Sequence, residues 1–82
     1  MQTYLKVILK YDWADKQKFN YWIGKANVTV VKTRESMNTE QYTTILINDH
    51  KALNILLTLL NKECWWGVQV YKIKRKRIWW RK

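Results

Sequence analysis

Four short segments with a hydrophobic period of two and two with a period near 3.6 follow one another along this chain. Their order is strand, helix, strand, strand, helix, strand. With no proline and only two glycines, Gly24 and Gly67, little of the sequence suits long irregular loops. Together these observations predict an α+β fold of the ferredoxin-like βαββαβ plan: a four-stranded antiparallel sheet with two helices on one face. Right-handed crossovers then make the first and third strands central and the second and fourth edges.

The first strand, "TYLKVILKY" (3–11), alternates Leu5, Val7 and Leu9 against Tyr4, Lys6, Ile8 and Lys10. Asp12 stands where a helix N-cap would stand, and Asp15 suits the positive end of the helix that follows. Across "WADKQKFNYWIGK" the residues Ala14, Phe19, Trp22 and Ile23 can share a stripe, and Gly24 is a natural stop. "NVTVVKT" (27–33) alternates as a strand, with Val28 and Val30 opposite Thr29, Val31 and Thr33. "RESMNTE" (34–40) reads as the hairpin connection and "QYTTILIN" (41–48) as the returning strand. Asn48 or Asp49 can cap a helix through about Glu63, where Leu53, Leu56, Leu57 and Leu60 repeat at helical spacing. "WGVQVYKIK" (66–74) is the last strand, with Val68 and Val70 expected opposite Gln69, Tyr71 and Ile73. Residues 1–74 thus form one domain, and 75–82 a basic aromatic C-terminal extension.

Eighty-two residues bury somewhat over ~60% of their unfolded surface, so each large apolar residue matters to the core. Charge is unevenly distributed. Residues 1–71 carry nine cations against six carboxylates, whereas 72–82 add seven cations and no acid, together making the net +10. Such a block points to a polyanion, an anionic membrane or an acidic protein. The lone Cys64 excludes an intramolecular disulfide and reads as a buried thiol of a reducing compartment. The longest apolar run, "ALNILLTLL" (52–60), is too short to span a bilayer, and Lys6 and Lys10 interrupt any leader-like segment. A cytoplasmic location is expected, the host cytoplasm if the chain is phage-encoded.

Enzyme signatures are missing. His50 is the only histidine and is expected in the first turn of the second helix; no nucleophile context or glycine-rich phosphate loop is visible. No cofactor and no metal site are expected. A first strand ending in "KYD" resembles the small endonucleases of CRISPR adaptation, whose metal-binding aspartate closes the first strand. That resemblance implies a metal-dependent nuclease through Asp12, ranked below the plain reading of Asp12 as a helix cap.

With both helices on the Leu5, Val7 and Leu9 face, the opposite face is open. It is expected to interleave Tyr4, Lys6, Ile8, Lys10, Tyr42, Leu46 and Tyr71, as single-stranded nucleic-acid platforms do. RNA-recognition domains share this architecture, but their glycine- and aromatic-rich strand motif is not found in "QYTTILIN". Contact with phosphates and bases is therefore expected from Lys72, Lys74, Arg75, Lys76, Arg77, Trp79, Trp80, Arg81 and Lys82, with Lys6, Lys10 and Tyr71 beside them. Trp65 or Trp66 is expected to fill one end of the core. The resulting expectation is a small non-enzymatic protein that binds nucleic acid or a ribonucleoprotein, in the manner of a phage or mobile-element accessory protein inhibiting a host defence complex. The alternative is an interaction module or homodimer joined through Tyr4, Ile8, Val31, Tyr42, Leu46 and Ile73 on the open face.

Overall fold

The computed structural model describes residues 2–35 and 39–78, and the side chains of residues 2, 3 and 76–78 are outside that description. Strand β1 (Gln2–Asp12) leads through a 3-10 turn (Trp13–Asp15) into helix α1 (Lys16–Ala26). Strands β2 (Thr29–Glu35) and β3 (Glu40–Ile47) form a hairpin, followed by helix α2 (His50–Glu63) and strand β4 (Val68–Ile78). The sheet order is β2-β3-β1-β4 and all pairings are antiparallel. This is the predicted ferredoxin-like plan, with β1 and β3 central.

The core forms where the odd-numbered residues of β1 and β3 meet the helices. Leu5, Val7, Leu9 and Tyr11 are buried beside Ile45 and Ile47, under Phe19 and Ile23 from α1 and Leu53, Leu56 and Leu60 from α2. Tyr11 stacks on Phe19 at 3.7 Å between ring centroids, and its hydroxyl meets that of Thr43 at 2.9 Å. The ring therefore contributes apolar area without leaving its polar tip unpaired.

Capping follows the sequence in part. Asp49 Oδ1 accepts the Ala52 amide at 2.8 Å and opens α2 as expected. Asp12 Oδ1 accepts the Ala14 amide, also at 2.8 Å, but the turn it starts is 3-10 rather than α. Gly24 does not stop α1. It lies inside the helix, and Asn27 adopts the left-handed conformation (φ 59°) with its amide bonded to the Gly24 carbonyl. Asparagine is the commonest residue after glycine at this position, so the stop signal lay three residues further on.

The edge strands depart most from simple alternation. Both carry a register shift: in β2 between Val30 and Lys32, and in β4 where Tyr71 is the extra residue opposite the Ile8–Leu9 step. Such β-bulges insert one residue and thereby reverse the facing of all that follows. Thr33 and Ile73, expected on the open face, pair instead with Thr43 and Val7 on the helix side. Val30 and Val70 do lie on the helix side, but at the uncovered sheet edges they remain exposed.

Candidate nucleic-acid interface

The bulges decide which face the edge-strand cations take, as residue parity makes plain. Val28, Val30, Lys32 and Arg34 share one parity, as do Val68, Val70, Lys72 and Lys74. Strict alternation would aim all four cations at the helix side with the valines. One unpaired residue in an edge strand is tolerated, and the facing reverses after it. After the bulges, Lys32 pairs with Thr44 and Arg34 with Tyr42, while Lys72 pairs with Ile8 and Lys74 with Lys6. Directly opposed residues share a face, so these cations project from the open side.

Counted by register, the open face carries six described cations (Lys6, Lys10, Lys32, Arg34, Lys72 and Lys74) against two carboxylates, Asp12 and Glu40. Lys10 Nζ holds Glu40 Oε2 at 3.1 Å, and Glu40 Oε1 also accepts the Tyr42 hydroxyl at 3.0 Å. The hydrogen bond to Glu40 raises the Lys10 pKa, and the reciprocal bond from Lys10 lowers that of Glu40. The other five cations have no ion pair among the described residues. No described carboxylate forms an ion pair with them, which suits a surface meeting a polyanion.

Aromatic rings occupy the middle of this field. Tyr42 and Tyr71 meet edge to face with centroids 5.0 Å apart, and Tyr71 is the bulge residue of β4. Burial, followed by the Glu40 hydrogen bond, raises the Tyr42 pKa, so the phenol stays neutral beside the lysines. Lys6, Ile8, Lys32, Arg34, Tyr42 and Tyr71 line a shallow cleft of about 280 Å³. This cleft offers rings, stems and cationic heads together.

The structure sorts the sequence-derived candidates. Lys6, Lys10, Tyr71, Lys72 and Lys74 gather on the open face with Tyr4, Ile8, Tyr42 and Leu46. Arg75 pairs with Leu5 and falls on the helix side, so it does not join them. Ile73 leaves the expected partner patch for the same reason, and Val31 is the unpaired bulge residue of β2. Lys76 and Arg77 pair through their backbones with Tyr4 and Thr3, but their side chains lie outside the described ones. Trp79, Trp80, Arg81 and Lys82 lie outside the described residues. Lys32 and Arg34 were missed by the alternation argument, although their shared parity with valines signalled the conflict.

A second omission concerns the turn between α2 and β4. Neither Trp65 nor Trp66 fills the core; they are 86% and 68% exposed. Cys64 takes the buried place beside them, and burial pushes its thiol pKa up to about 11, leaving it protonated. Asp12, the one candidate for metal chemistry, spends Oδ1 on the turn cap and accepts the Thr39 hydroxyl on Oδ2 at 3.3 Å. Among the described residues no three His, Cys, Asp or Glu side chains cluster, and no helix is long and apolar enough to cross a membrane. His50 is exposed in the first turn of α2, as expected. A cleft of about 590 Å³ between the C-terminal end of α1 and the start of α2 is lined without a Lys, Arg, His, Asp or Glu. Compared with protein-family models, curated proteins and solved structures, the chain matches none.

Proposed function

We propose that this ferredoxin-like protein binds nucleic acid through its open sheet face, with single strands preferred to duplex. One observation carries the reading: paired bulges bring Lys32, Arg34, Lys72 and Lys74 to the same side as Lys6, around the Tyr42–Tyr71 ring pair. Cations meet phosphates and release counterions, while exposed rings stack on unpaired bases. A broad sheet cannot enter a helical groove edge-on as a single helix does, and bases inside a duplex present no free ring faces. β1 and β4 have eleven residues each, so the platform runs about 36 Å at ~3.3 Å per residue.

The face suits a symmetric homodimer poorly. Ile8 and Leu46 are only part-buried and could pair across a two-fold axis, but that axis would set each cation field against its copy. Like-charge apposition opposes such a dimer.

Fluorescence anisotropy with labelled single-stranded and duplex oligonucleotides tests the proposal. The expected result is tighter binding to single strands, with a logarithmic salt slope of about −3.5 if five phosphates are engaged. Combined Lys72→Glu and Lys74→Glu substitution should remove most of that affinity while thermal unfolding stays cooperative. Affinity indifferent to salt, or binding to an acidic polypeptide in place of the oligonucleotides, rejects it.

A further inference from the structure

The α2–β4 turn is held with more hydrogen bonds than its exposure requires. The Asp15 carboxylate, 3% exposed, accepts the amide of Trp65 at 3.1 Å and that of Trp66 at 2.8 Å. Asn61 closes the other side: its Nδ2 donates to the Val68 carbonyl at 3.0 Å and its Oδ1 accepts the Val68 amide at 2.7 Å. Gly67 adopts φ +87°, and its amide bonds to the Cys64 carbonyl. A buried charge is expensive to keep. Here it fixes a backbone that turns two indoles outward, where they gain no burial of their own. Exposed aromatic rings on a fixed backbone have only their side-chain rotations to lose on binding, which makes them efficient contacts.

Trp66 adjoins the open face. With Lys10, Asp12, Glu40, Gly67 and Gln69 it lines a concavity of about 250 Å³. Lys10, Asp12, Glu40 and Gln69 are open-face residues by register, so this concavity continues the open face at its Asp12 end. Glycine at 67 is required by the turn itself, since φ is +87° and a Cβ there would meet Asn61 Oδ1 at 3.2 Å. The Gln69 amide both donates and accepts, and the Asp12 carboxylate has acceptor capacity beyond its two bonds. Those groups match the hydrogen-bonding edge of a base rather than a phosphate, which the carboxylates repel.

We infer that the Trp66–Gly67–Gln69 concavity seats one unpaired base of a single strand lying along the open face, stacked on the Trp66 ring. The inference rests on the nucleic-acid reading of that face and adds its terminal base contact. The acceptors Asp12 and Gln69 favour a base with an exocyclic amino donor, adenine, cytosine or guanine, over thymine or uracil.

The test is anisotropy with labelled oligo(dA), oligo(dC) and oligo(dT), using wild-type protein, Trp66→Ala, Trp66→Phe and the Lys72→Glu/Lys74→Glu pair. Trp66→Ala is expected to bind oligo(dA) and oligo(dC) about tenfold more weakly, with Trp66→Phe intermediate. The loss should be smaller on oligo(dT) and absent on a blunt duplex. Because Trp66 is 68% exposed, thermal melts of these variants should match the parent. If Trp66→Ala binds as tightly as the parent while the lysine pair fails, the base seat is overturned and the open-face reading stands. An equal loss on blunt duplex also overturns the base seat. If neither the parent nor any variant binds oligonucleotides, both fall.

Discussion

Asp15 shows how far a residue's role can lie from its place in the chain. By position it is an acid at a helix start, and the sequence suggests only a favourable dipole. In the fold it makes no side-chain cap; both its oxygens hold amides fifty residues away. Charge-assisted bonds of this kind are stronger than neutral ones, and removing the acceptor strands two amides at a part-buried turn. Asp15→Ala should therefore cost about 2–3 kcal/mol in urea unfolding. Asp49→Ala, which removes an exposed cap of one amide, should cost about 1 kcal/mol. Equal losses in the two variants would refute the clasp. The partners of Asp15 were not legible because Trp65 and Trp66 look like core residues by composition, and only the turn geometry shows that Cys64 takes that place. Gly24 misled in a similar way: a permissive residue marks where a helix can stop, and Asn27 was the one that did.

At the scale of elements the strands were legible to within a few residues, yet their facing was not. Period-two alternation assigned β1 and β3 correctly throughout, since both lie between neighbours and bury one face completely. The edge strands are free on one side, so they can take an extra residue that moves the side chains after it to the other face. That is why Val31 and Tyr71 break register and the sequence argument lost Thr33 and Ile73 from the open face. Face, rather than net charge, then decides which cations matter. Lys74 and Arg75 are adjacent and both exposed, but Lys74 opposes Lys6 on the open side and Arg75 opposes Leu5 on the other. Lys74→Ala should reduce the magnitude of the salt slope for single strands by about 0.7, the share of one phosphate contact. Arg75→Ala should leave the slope unchanged although it removes the same charge. Equal effects would mean that β4 acts as an undifferentiated basic segment.

For the molecule as a whole, the basic block was legible and its division between body and tail was not. β4 continues to Ile78, so Arg75 to Ile78 belong to the sheet rather than to an extension. These residues pair with Leu5 back to Gln2, and Gln2, Thr3 and Tyr4 have their ladder partners in β4 alone, because the β1–β3 pairing begins at Leu5. Two truncations therefore have different consequences. Ending the chain after Lys74 unpairs the first residues of a central strand and uncovers the flank of Leu5, a core residue. A loss of 1 kcal/mol lowers the melting temperature of a domain this size by roughly 4–8 °C, and this truncation should exceed that. Ending after Ile78 removes Trp79, Trp80, Arg81 and Lys82 and takes the formal charge from +10 to +8, a difference of two cations. Its melting temperature should match the full chain, and its salt slope should shrink by at most about 1.4. If oligonucleotide binding vanishes in the chain ending at Ile78 while its melt is intact, the last four residues are the principal contact and the open face is secondary. Retained binding with the smaller slope assigns the principal contact to Lys6, Lys32, Arg34, Lys72 and Lys74, where the two bulges place it.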